Sequence, residues 1–273
     1  MKLRIITGVT AAILVILLDT LGSFPFILSV VLIFSLLAFL EYDRLFFPTR
    51  SVSRQLPTAV LIVLSILSIR LGVYASWIAL WMSFIIIGVG QVFVADRQDD
   101  FPASVRQVSL QWMGYIYIVG LLGFILPIVQ GMPKGRAYLL LLFFLVFIGD
   151  TSAYFVGSRW GRHRLAPHIS PKKSVEGAIA ATLSAPVVAL VWLRITGGLS
   201  QESVYIWHIL IMSPFVSLLA QAGDLFESIL KRSQSRKDSG HLFPGHGGIL
   251  DRIDGLALSA PFFYFYLVNI VGR

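Results

Sequence analysis

Nine runs of roughly 20 mostly apolar residues, separated by short segments bearing charge, Pro or Gly, leave this chain few ways to fold, because a run of that length matches the hydrocarbon thickness of a bilayer. They lie near 4–19, 24–41, 57–73, 75–95, 108–130, 137–156, 176–195, 204–223 and 256–272. In lipid the backbone must satisfy its own hydrogen bonds, so each run predicts a helix. The expectation is an all-α, polytopic integral membrane protein with about nine transmembrane helices. Composition agrees: 56% of the 273 residues are hydrophobic, 13% are charged, and the mean hydropathy is +0.81. No polar linker is long enough to set off a soluble domain, so residues 1–135 and 136–273 read as two halves of one membrane domain. Lys2 and Arg4 precede the first run as in a secretory signal, but no small-residue cleavage site follows, and a retained anchor is expected.

Nine spans gather the N-terminus and the segments 42–56, 96–107, 157–175 and 224–255 on one side. Only Arg70, Lys134, Arg136, Arg194 and Arg273 fall on the other, which leaves 17 of the 22 Lys and Arg with the first group. The positive-inside rule makes that side cytoplasmic, with the N-terminus inside. The net charge of +8 is accounted for by topology and anionic headgroups, and nucleic acid is not expected as a partner. Cysteine is absent, which removes thiolate nucleophiles and Cys-ligated zinc and restricts any metal to oxygen or imidazole ligands. No internal repeat is evident and charge is nearly absent from the span centres, so a transporter built on inverted repeats is not suggested.

The polar information sits in the last two segments of the basic side. Asp224, Glu227 and Lys231 continue out of the eighth span at i, i+3 and i+7, on one helical face, where Glu227 and Lys231 could equally form an ordinary i, i+4 pair. The stretch Lys237-Asp238-Ser239-Gly240-His241 to Pro244-Gly245-His246-Gly247-Gly248 is rich in residues that let backbone amides approach a ligand, though such pairs are also plain turn formers. Asp251-Arg252-Ile253-Asp254 opens the ninth span with two acids three residues apart; helix capping explains one acid better than two. Mg2+ takes one or two carboxylates together with water and substrate phosphates, so Asp224, Asp251 and Asp254 form a candidate magnesium and nucleotide site, with a second cation left open.

Earlier in the chain Asp150 lies inside an apolar run, where an ionisable group is functional by default. Ser170-Pro171-Lys172-Lys173-Ser174 offers hydroxyls and cations suited to phosphate oxygens, and Ser174 also suits a helix N-cap.

The run from Ser228 and Lys231-Arg232 through Lys237-Asp238-Ser239-Gly240 and Pro244-Gly245-His246-Gly247-Gly248 to Asp251-Arg252-Ile253-Asp254 resembles the motif of the phosphatidate cytidylyltransferases. Asp150-Thr151-Ser152-Ala153-Tyr154, Leu165-Ala166-Pro167 and Ser170 to Ser174 resemble a second element of that family; Ser158 stands where the family carries a basic residue, with Arg159 beside it. The resemblance implies that CTP and phosphatidate, a membrane lipid, are converted to CDP-diacylglycerol and pyrophosphate for phospholipid biosynthesis. It implies catalytic roles for Asp224, Asp251, Asp254 and Lys237, and metal ligation by Asp224, Asp251 and Asp254 with Asp150 as a further candidate. Substrate binding falls to Ser170, Lys172, Lys173, Ser174, Lys231, Arg232, Gly245, His246, Gly247, Gly248 and Arg252. A CTP-dependent lipid kinase and, in another class, a membrane transporter are the alternatives. A homodimer is left open.

Overall fold

The computed structural model describes residues 23–98, 100–132, 134–198, 203–240 and 247–271. The first expected span, the loop residues Gly245 and His246, and Arg273 lie outside the described residues. Among the described residues, eight helices are long and apolar enough to cross a bilayer, and each coincides with one of the last eight runs read from the sequence. In chain order, α1 spans Phe24–Phe46, and α2, Val52–Leu67, is extended by a 3-10 turn, Ser68–Leu71. Next come α3, Val73–Gln98, and α4, Phe101–Tyr115, which runs on through a π-helical turn, Ile116–Leu121, toward the short α5, Ile125–Gly131. The C-terminal half holds α6, Gly135–Trp160, α7, Val175–Ile195, α8, Ser203–Ser233, and α9, Leu250–Tyr266, which ends in a second π-helical turn, Leu267–Val271.

One element departs from the all-helical expectation. Between α6 and α7, where a loop is expected, Arg164–Ala166 and Ser170–Ser174 form an antiparallel hairpin, β1 and β2, pairing Arg164 with Ser174 and Ala166 with Ser170. It stands outside the helical bundle, where a strand does not have to satisfy its edges in lipid.

The packing inverts the pattern of a water-soluble helix. On α7 the small residues Gly177, Ala181, Ala185 and Ala189 recur every four positions and are buried, while Ile179, Leu183, Val187 and Ile195 face outward. Lipid is as apolar as leucine, so helices associate through close van der Waals contact, for which small residues are suited and large ones are better spent on the acyl chains. Gly149 on α6 lies opposite Ala181, and Gly177 sits so close to Ala153 that an added Cβ would stand 2.7 Å from that residue's carbonyl oxygen. The tightest helix pairing is α6 with α7, followed by α8 with α9 and α7 with α8. These four helices carry the polar residues singled out in the sequence.

Candidate active site

The acidic cluster begins with a backbone contact. Gly223 on α8 abuts the carbonyl of Asp254 on α9, leaving no room for a Cβ, and Gly255 packs on Ala220 of α8 and Val146 of α6. With the two backbones touching, Asp254 stands beside Asp224 and Glu227, which are neighbours on α8 one turn apart. Each of these three residues presents a carboxylate oxygen within 4.8 Å of the other two. Three like charges at such separations in a medium of low dielectric repel strongly unless cations lie among them.

Two lysines supply part of the compensation. Lys173 of β2 reaches across to Asp224, Nζ to Oδ2 2.6 Å. Lys231, one turn beyond Glu227 on α8, is ion-paired with Glu227 and lies 2.5 Å from Oδ1 of Asp251. Glu227 is buried, and its Oε1 has no hydrogen-bond partner among the described residues; neither has the buried hydroxyl of Tyr117, which lies in the field of Asp254, Glu227, Asp224 and Asp251 and rests its ring on Phe226. An oxygen-only donor set with an unsatisfied buried carboxylate oxygen fits a hard divalent cation.

Asp251, grouped in the sequence with Asp224 and Asp254, is not the third member of this set; Glu227 is. Residues 251 and 254 have the same i, i+3 spacing as Asp224 and Glu227, but their carboxylates take different partners. Asp254 turns toward α8. Asp251 turns toward the polar loop, where Oδ2 accepts hydrogen bonds from the Ser239 amide (3.1 Å), the Ser239 hydroxyl (2.8 Å) and the Gly248 amide (2.8 Å). Asp251 stands beside Glu227, and the two acids share Lys231. The Gly248 amide is committed to Asp251. Gly247 has φ of +81° and lies against the same carboxylate, a conformation and a space that glycine alone accepts readily.

The loop has a second anchor that no motif announces. Glu41, near the end of α1, is buried, and its Oε2 accepts from the Leu250 amide (3.1 Å) and the Ser239 hydroxyl (3.2 Å). The only signal in the sequence is an acid just inside an apolar run.

The hairpin and the ends of α8 and α9 carry the remaining candidates. Ser174 is buried and caps α7, its Oγ accepting from the Gly177 amide at 3.1 Å, with Gly157 and Gly161 packed closely around it. Arg232 is a strap: Nε meets the Ile169 carbonyl at 3.4 Å and Nη1 the Arg236 carbonyl at 3.2 Å. Ser170 lies on β2 in the Ala166 pair, while Lys172, Lys237 and Arg252 are exposed. Asp150, exposed on α6, stands in the field of Asp224, Lys173 and Arg252.

Eight helices of membrane-spanning length and apolarity among the described residues, with a carboxylate cluster between two of them, define a class: a polytopic integral membrane protein. Within that class, the chain belongs to the cytidylyltransferase family, whose profile it matches over residues 2–270. It is 36% identical over 186 residues to the phosphatidate cytidylyltransferase of Thermotoga maritima, an alignment covering 67% of each chain. With the phosphatidate cytidylyltransferase of Bacillus subtilis it shares 32% identity over 272 residues, 98% of this chain and 97% of the other. With that of Haemophilus influenzae it shares 42% over 133 residues, 48% of this chain and 46% of the other.

Proposed function

We propose that this protein transfers the cytidylyl group of CTP to phosphatidate, giving CDP-diacylglycerol and pyrophosphate at the cytoplasmic face of a bacterial plasma membrane. The observation that carries the reading is the convergence of Asp224, Glu227 and Asp254 with Lys173 and Lys231, in a chain aligned almost end to end with a phosphatidate cytidylyltransferase.

The oxygen of the lipid phosphate bonds to the α-phosphorus of CTP as the bond to the β-phosphate oxygen breaks, and pyrophosphate leaves with that electron pair. The attacking phosphate is already ionised near neutral pH, so the protein needs no strong base; positioning and charge neutralisation are its main tasks. Asp224, Glu227 and Asp254 would hold Mg2+, which would offset the triphosphate charge. Lys173 and Lys231 stand within reach of the same space and bind phosphate oxygens through charge-assisted hydrogen bonds. The exposed Lys172, Lys237 and Arg252 draw the anionic nucleotide and the lipid headgroup to the site. Asp251 holds Lys231, Ser239 and Gly248 in place instead of meeting the cation itself.

Incubating the purified protein with Mg2+, phosphatidate and each nucleoside triphosphate separately, then identifying the products, tests the proposal. Cytidine on the lipid with release of pyrophosphate supports it. With diacylglycerol in place of phosphatidate in a parallel incubation, release of CDP with the γ-phosphate on the lipid alcohol would identify a lipid kinase, and turnover of no nucleotide in either would overturn both.

A further inference from the structure

We propose that Glu41 is a positioning residue for this site, acting from the opposite half of the chain to set where α9 begins and where Ser239 and Gly248 lie beside Asp251. The inference rests on reading the start of α9 as part of the site. Ile249, the residue before α9, offers no side-chain cap to the first turn. The amide of Leu250, one of the unpaired donors of that turn, is met by Oε2 of Glu41 at 3.1 Å. A carboxylate at this end of a helix is also favoured by its dipole. α9 carries Asp251 and Asp254, so the residue that seats its first turn seats both.

The same oxygen shares the Ser239 hydroxyl with Asp251, at 3.2 Å and 2.8 Å. A hydroxyl has one proton, so one donor is divided between two carboxylates and holds both at a fixed spacing. Two glycines record the constraint. A Cβ on Gly240 would stand 2.5 Å from Glu41 Oε1, with only Glu41 atoms among its nearest neighbours, and a Cβ on Gly248 would strike Glu41 and Ser239 together. Those glycines are as much a requirement of the Glu41 carboxylate as of any bound phosphate.

The test uses the full chain, purified and reconstituted in phospholipid vesicles. Glu41→Ala should lower kcat roughly tenfold or more with a smaller change in the KM for CTP, and Glu41→Gln, which keeps an acceptor oxygen, should recover most of it. Trypsin should cut after Arg236 or Lys237, both exposed, several-fold faster in Glu41→Ala than in the wild type. Gly240→Ala should impair the wild type and cost little more in the Glu41→Ala background, because the atoms that its methyl meets are then gone. Should Glu41→Ala fail to insert, Ser239→Ala, which removes only the shared hydroxyl, should show the same fall in kcat and rise in cleavage. Wild-type kcat and cleavage rate in either variant, or an equal cost of Gly240→Ala in both backgrounds, would overturn the inference. A wild-type protein that turned over no CTP would sink the functional reading alone, since tryptic cleavage compares the loop without substrate.

Discussion

Gly223 of α8 lies against the carbonyl oxygen of Asp254 on α9, with no space for a methyl group between them. That contact, more than any side chain, sets the distance between the acids of the two helices. Gly223→Ala should push α9 away, costing about 1–3 kcal/mol of stability as overpacking does and a larger share of activity. Thermal unfolding and turnover measured on one preparation check this; unchanged activity would mean that the helix spacing is not critical.

The different partners of Asp251 and Asp254 predict two different defects. Asp254→Asn and Asp224→Asn should reduce turnover by about 10³ and raise the Mg2+ concentration needed for half-maximal rate, because a hard anionic ligand is lost. Asp251→Asn should also slow turnover, through a loosened Lys231, but its Mg2+ requirement should stay near that of the wild type. Titrating Mg2+ against rate for the three variants separates the cases, and an identical shift in all three would return Asp251 to the metal.

Lys237 is exposed on the loop, so Lys237→Ala should raise the KM for CTP with little effect on thermal stability. Full activity at low CTP would leave it as a topology charge.

Ser174 is both candidate phosphate ligand and observed cap. Buried and bonded to the Gly177 amide, it should cost about 1 kcal/mol of stability when changed to Ala, the usual loss for a helix cap. A denaturation curve with an unshifted midpoint would contradict the capping role.

Because the chain has no native cysteine, topology can be read from single introduced thiols. Thr196→Cys, just past the end of α7, and Ser235→Cys, just past the end of α8, occupy exposed positions flanking one span and should label from opposite sides of sealed vesicles, Ser235→Cys from the cytoplasmic side. Labelling of both from one side would break the alternation of spans.

The spans were legible because lipid imposes a single requirement, length of apolar run, that hydropathy reports directly. The hairpin was not: Ser170-Pro171-Lys172-Lys173-Ser174 has neither alternation nor β-branched residues, and its pairing is set by the ends of α6 and α7. Asp224 and Asp254 could be read as partners since each lies at the polar end of an apolar span. The choice of Glu227 over Asp251 as the third acid could not, because it depends on the rotation of α9 against α8, which Gly223 and Gly255 decide. Glu41 and Tyr117 escaped notice because their significance lies in contacts made by the half of the chain that carries no motif.

Glu41 and Ser239 are 198 positions apart, and their contact ties the timetable of assembly to the end of synthesis. A bilayer-inserted α1 must hold a carboxylate whose partners do not yet exist until α9 has been made and docked. The early spans therefore stand as an unfinished socket through most of translation, completed only when Ser239 and Leu250 reach Glu41. Faults far upstream, in helices that never touch a substrate, would surface as a protein fully inserted, correctly oriented and inert.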